Sequence, residues 1–236
     1  MSGSARRVLL LTGAAEGFGV SIAATFASAG YDIIGLARSD RATAALTRAA
    51  GESGGAYTHL PCDITQGPAV AEALQPCAER IDAVIHNAQT LLVKLFGETS
   101  TAEFEQVWRV ACFGAMAVAK IVLPHMAARR SGAIILSGAT AAWRGGPKFS
   151  AFASAKFALR GFAQALSREF GSQGVHVAHV VLDGLIDEPQ SDRRFGPSQS
   201  ARMAPDALAR AYLGLVEQHP SAWTHELDLR PFSGQY

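Results

Sequence analysis

The sequence predicts an α/β protein: a single domain over residues 1–236, built on a doubly wound parallel sheet. Three observations predict it. Short apolar, β-rich runs alternate with longer helix-like runs along the chain. Most of the short runs are continuously hydrophobic, as strands covered on both faces must be. A glycine-rich turn joins the first short run to the first long one.

The strands fall at residues 8–12, 32–37, 56–60, 81–86, 133–136 and 175–182. Helices fall between them at 17–29, 41–50, 68–79, 101–126 and 149–170. In the fourth helix Val107, Val110, Ala111, Gly114, Val118, Ile121 and Val122 recur at helical spacing. In the fifth, Phe152, Ala155, Leu159, Phe162, Leu166 and Phe170 do the same. A helix near 205–217 and a strand near 226–229 finish the chain. Residues 51–55 read as a turn. Residues 183–203, rich in Arg, Ser, Asp and Pro, read as one long irregular loop; such loops often cover an active site.

With 236 residues, 49% of them hydrophobic, one sizeable buried core is expected. Lys+Arg and Asp+Glu nearly cancel, leaving +1, which gives no reason to propose nucleic acid or a membrane surface as partner. Cys62, Cys77 and Cys112 are odd in number and lack CxxC spacing, so a reduced, cytoplasmic protein with buried thiols is expected. The run Val8-Leu9-Leu10-Leu11 is too short for a signal peptide, and no stretch reads as a transmembrane span. His176 and His179 point to opposite faces of a strand, and no metal is expected.

The turn Thr12-Gly13-Ala14-Ala15-Glu16-Gly17-Phe18-Gly19 follows the first strand and opens the first helix. Glycines let the backbone approach a pyrophosphate closely, and the helix end offers free N–H groups and a favourable dipole. The spacing is Gly-x-x-x-Gly-x-Gly, and any strand–turn–helix junction can also use glycines. The second strand ends Leu36-Ala37-Arg38-Ser39, with no acid there to hold a ribose 2′-hydroxyl. Arg38 instead suits a 2′-phosphate, which favours NADP over NAD, although a solvated Arg is commonplace. Glu16 counts against a nearby phosphate.

With these elements in order, the chain resembles the short-chain dehydrogenase/reductase family over nearly its whole length, most strongly across 8–188. The glycine turn, Asp63-Ile64, Asn87-Ala88 and Lys156 fall where that family has matching motifs. The resemblance implies a Rossmann-type sheet and a nicotinamide cofactor. It implies that Gly13, Gly17, Phe18 and Gly19 hold the pyrophosphate, Asp63 and Ile64 the adenine, and that Asn87 and Ala88 border a ribose. Lys156 would hydrogen-bond the nicotinamide ribose, with Gly184 and Ile186 also on the cofactor. A homodimer or homotetramer is implied through the fourth and fifth helices.

The departures gather at the chemistry. The tyrosine position is Phe152, the serine position Ala139, and the helical asparagine aligns with Ala111. Gln89 follows Asn87-Ala88, and Asp183-Gly184 replaces a Pro-Gly. Tyr31, Tyr57, Tyr212 and Tyr236 lie far off in sequence. Ser137 and Thr140 flank the serine position with undetermined aim. Phenyl and methyl groups cannot donate a proton, so ordinary ketone reduction should be crippled.

Three readings follow. The first is an NADP-dependent reductase with an altered acid, from Lys156, Asp183 or the substrate; an activated carbonyl, quinone or imine would suit it. The second is an NADP-binding sensor or partner subunit without turnover. The third is a non-redox enzyme on the same fold. Trp143, Arg144, Lys148, Phe149, Leu92 and Phe96, with Phe152, are expected to give an aromatic pocket a basic rim; alternatively Phe152 simply packs with Leu159 and Phe162.

Overall fold

The computed structural model describes residues 5–196 and 201–233. Seven strands form one parallel sheet: β1 (Arg7–Thr12), β2 (Tyr31–Ala37), β3 (Tyr57–Pro61), β4 (Ala83–His86), β5 (Gly132–Ser137), β6 (Val175–Leu182) and β7 (Glu226–Leu229). Their spatial order is β3-β2-β1-β4-β5-β6-β7. The order reverses between β1 and β4, and in sheets of this kind ligands bind in the crevice opened there at the strands' carboxyl ends. β1 pairs with β4 from Leu9↔Ala83 to Thr12↔His86, which sets the glycine turn after β1 beside the turn after β4.

Helices α1 (Phe18–Ser28), α2 (Thr43–Glu52), α3 (Gly67–Leu74), α4 (Thr101–Trp108), α5 (Gly114–Ala128), α6 (Ser150–Phe170), α7 (Pro189–Phe195) and α8 (Pro205–Val216) connect them. One face of the sheet meets α1, α2 and α8 through Phe18, Ile22, Phe26, Leu46, Leu208 and Tyr212. The other meets α3, α5 and α6 through Val70, Leu74, Val118, Val122, Leu159 and Leu166. Burying each large side chain contributes about 1.5–3 kcal/mol, so Phe18, Ile22 and Phe26 pin α1, and the turn before it, to the sheet.

The predicted fourth helix is broken. A single turn of π-helix, Arg109–Phe113, separates α4 from α5. The fourth helix starts at a capping box: Ser100 accepts from Glu103 N, and the Glu103 carboxylate accepts from Ser100 N. Taken together, Thr101–Ala128 is long and apolar enough to cross a membrane by length and composition, contrary to the sequence expectation; 56% of its most apolar window is buried inside the fold. The loop expected at 183–203 is not wholly irregular. It contains α7, and Ile186 bridges to Met203. Residues 197–200 of that loop, and Tyr236, lie outside the described residues.

Candidate active site

A cavity of about 780 Å³ opens along the carboxyl ends of β1, β2, β4, β5 and β6. Of the residues assigned to a cofactor from sequence, Gly13, Phe18, Gly19, Arg38, Asp63, Ile64, Asn87, Ala88, Gly184 and Ile186 line it. Gly17 lines a smaller cavity of about 290 Å³ beside it, with Glu16, Arg41 and Arg193. Gly13 and Gly17 have φ of 68° and 72°, the left-handed region that favours glycine. A Cβ on Gly13 would lie 2.6 Å from Ala88 Cα, so no side chain fits between the two turns. Gly17, at the N-cap of α1, makes no side-chain cap, and the first turn of α1 carries no acidic residue of its own.

Arg38 is exposed at the end of β2. Asp63 sits after β3. Burial raises its carboxyl, but hydrogen bonds from Thr65 N and Oγ1, at 2.9 and 2.8 Å, lower it. With Arg38 and Arg109 nearby, it titrates below the usual carboxylate range.

The part of the cavity bordered by Ala139 and Phe152 has no donor on either side chain. Ala139 and Phe152 both line the cavity. Lys156 does not: it is 1% exposed, its Nζ donates to Ser137 O at 2.8 Å, and it lies 5.5 Å from the centre of the Phe152 ring. Burial lowers its pKa from 10.5 to about 7. The hydroxyls flanking Ala139 are both engaged elsewhere. Ser137 Oγ is buried and accepts from Tyr212 Oη at 3.0 Å. Thr140 lines the cavity, but its Oγ1 donates to Asp183 at 2.5 Å. Asp183 is absent from the cavity wall; its carboxylate faces Thr140, Arg144 at 3.8 Å and Arg230 at 3.9 Å. Tyr212, remote in sequence, thus comes within two residues of Ala139, but it is fully buried on α8, packed edge-on to Phe18, and its phenol is pushed up in pKa by burial.

Ala111 is fully buried in the π turn, and its carbonyl partners His86 Nε2 at 2.9 Å. His86 Nδ1 meets Thr12 Oγ1, also at 2.9 Å. A carbonyl only accepts, so Nε2 carries the proton and Nδ1 accepts from threonine. Burial, then the nearby Lys156, hold this imidazole neutral, with a pKa of about 3. Sequence reading missed His86. Its one signal is a polar residue at the end of an apolar strand, and only the β1–β4 register shows that Thr12 stands opposite.

Among the expected substrate residues, Phe149, Phe152 and Arg144 line the cavity, and Trp143 and Phe96 do not. Trp143 Nε1 reaches Glu226 at 3.5 Å and its ring lies under Arg230. Phe96 is 74% exposed on a short 3-10 turn. Lys148 and Leu92 are also away from the wall; Lys148 O accepts from Lys94 N, and Leu92 packs on the Phe152 cluster. That cluster joins Phe152 to Val107, Ala111, Ala141 and Ala155, not to Leu159, which belongs to the core under α5. Leu91, Leu185, Glu188, Gln190, Arg194 and Phe195 were not anticipated and line the cavity. Five of the six follow β6 in the stretch read as irregular. His176 stacks on Trp223 and His179 pairs with Glu226, on separate sides of β6.

A family model described as short chain dehydrogenase matches residues 7–192. The chain is 29% identical to the short-chain reductase protein NovJ of Streptomyces niveus, over 98% of this chain and 90% of that protein. It is 26% identical to a fatty acyl-CoA reductase of Acinetobacter baylyi, over 87% of this chain and 72% of that one. A short-chain dehydrogenase structure from Rhodopseudomonas palustris superposes with a TM-score of 0.81 at 31% identity, covering 96% of this chain and 99% of that one. A metagenomic short-chain oxidoreductase in complex with NADP shares the fold at 23% identity, with a TM-score of 0.82 and 95% and 96% of the two chains covered. The turn, the parallel sheet and the matched span agree: the chain belongs to the short chain dehydrogenase family of oxidoreductases.

Proposed function

We propose that the protein is an NADP-dependent oxidoreductase with an altered proton-donor site, acting on an activated carbonyl, a quinone or an imine. The observation that carries this is the donor-free wall of Ala139 and Phe152 in a cavity otherwise built for a dinucleotide. The cavity volume suits a cofactor plus a small substrate. At Gly13 the turn after β1 packs directly on the Asn87-Ala88 backbone because no Cβ is there. When bound, the nicotinamide would supply a hydride.

The chain's own part is then binding and exclusion. The amides of the Gly13–Gly19 turn hold the diphosphate and Arg38 a 2′-phosphate. Asp63 and Ile64 hold the adenine, and Asn87 and Ala88 a ribose. Lys156, off the cavity wall, would reach the nicotinamide ribose only by leaving Ser137 O. The Phe152 ring and the Ala139 methyl keep water and donors from the reacting carbon. An iminium substrate needs no proton there, whereas a ketone does. Positioned acid–base catalysis is worth about 10²–10⁴ in rate, so unactivated ketones are poor substrates.

The engaged hydroxyls of Ser137 and Thr140 favour a second reading, an NADP-binding sensor or partner subunit without turnover. NADPH consumption measured across ketones, quinones and imines separates the two. Turnover of a quinone or imine supports the first. Tight NADPH binding with no turnover of any class supports the second. A homo-oligomer paired through α4 and α6, where Trp108 and Phe157 are exposed, and a cytoplasmic location complete the proposal.

A further inference from the structure

The amino end of α1 already meets an anion from the chain itself. Phe18 N donates to Glu188 Oε2 at 3.2 Å. A Cβ on Gly17 would run into the same carboxylate. Glu188 is half-buried, lies six residues after the end of β6, and lines both cavities at the phosphate turn. Among the described residues this carboxylate forms no ion pair, although Arg41 and Arg193 line the smaller cavity with it. What holds it is the free N–H and the positive end of the helix dipole, the features by which a helix end holds a phosphate.

We propose that Glu188 is an intramolecular competitor for the pyrophosphate position: its carboxylate and the diphosphate of a nicotinamide dinucleotide contend for the same amide of α1, and the dinucleotide must displace it to bind. This rests on the dinucleotide-binding reading above. The side chain is the competing element, so rotation about its own bonds clears the turn, and the Ile186–Met203 bridge and α7 need not move. The competition weakens NADPH and NADH alike, because the diphosphate is common to both. It is separate from the choice between them, which falls to Arg38. Glu16, exposed on the same turn and lining both cavities, adds negative charge to the same region but has no contact with a helix amide among the described residues.

The test is calorimetric titration of the full chain with NADPH, NADH and inorganic pyrophosphate, for the wild type, Glu188→Gln and Glu188→Ala. Ligand-free melting is measured alongside. Removing the charge should tighten all three ligands by about tenfold, from the loss of a carboxylate at a partly buried helix end. It should also lower the ligand-free melting temperature, since α1 loses its anion. This opposition of signs marks a competitor; a side chain that merely supported the fold would weaken both. Dissociation constants within twofold of the wild type in both variants would overturn the proposal while leaving the cofactor reading intact. Failure of wild type and both variants to bind either dinucleotide would overturn that reading and the proposal with it.

Discussion

Replacing Lys156 with Met should stabilise the ligand-free protein at neutral pH and flatten its alkaline stability profile. The lysine is 1% exposed, with its ammonium on Ser137 O, and burial brings its pKa from 10.5 to about 7. Its folded pKa is thus below its unfolded one. Between about pH 7 and 10.5 the unfolded chain holds a proton on this side chain that the folded chain has lost, so stability rises with pH across that window. Below it both states are protonated and the full penalty of burying the charge remains. Each pH unit inside the window is worth about 1.36 kcal/mol. The whole penalty is therefore about 4–5 kcal/mol, and a climb from pH 7 to 9.5 recovers about 3 kcal/mol of it. Met fills a similar volume and has no charge to bury. It leaves Ser137 O without its partner, at a cost of about 1–3 kcal/mol, so the variant gains on balance at pH 7. Urea denaturation of both ligand-free proteins from pH 6.5 to 9.5 measures the effect. Cys62, Cys77 and Cys112, raised by burial, titrate in both, so the difference between the two profiles isolates the lysine. Profiles that stay parallel within about 0.5 kcal/mol, the scatter of an ordinary surface change, would refute the reasoning.

Other expectations follow from the same geometry. Arg38→Ala should weaken NADPH binding and leave NADH binding nearly unchanged; equal affinities for the two in the wild type would sink the role given to Arg38. Phe152→Tyr combined with Ala139→Ser should raise ketone reduction by about two orders of magnitude or more, provided NADPH and ketone still bind, and a double variant that binds both yet gains nothing would count against the donor-free wall. His86→Gln should flatten the acid limb of stability. The folded imidazole has a pKa of about 3 against 6.5 unfolded, so the parent loses stability as pH falls from 6.5 towards 3. Identical acid profiles for parent and variant would show that His86 is not held neutral.

The sequence by itself determined the parallel sheet, the place of its strands along the chain and the glycine turn after the first of them. Apolar runs such as Leu9–Leu11 can be satisfied only between two layers of helices, and glycine spacing reports backbone conformation directly, as the positive φ of Gly13 and Gly17 bears out. It also singled out Phe152 and Ala139, which both line the cavity, because the lack of a donor on a side chain is legible in the residue type alone. What it left open was aim. Ser137 and Thr140 are donors by composition, but their hydroxyls turn to Tyr212 and Asp183, groups 75 and 43 residues away. Lys156 reads as a cofactor contact, yet folding places it behind Phe152 in the core, off the cavity wall. His86 meets Thr12 across 74 residues, and Glu188 meets Phe18 across 170. Only the tertiary structure decided these contacts. A hydrogen bond depends on distance in space, and the strand register and helix docking that bring such partners together are settled by packing of the whole sheet, not by any local run of residues.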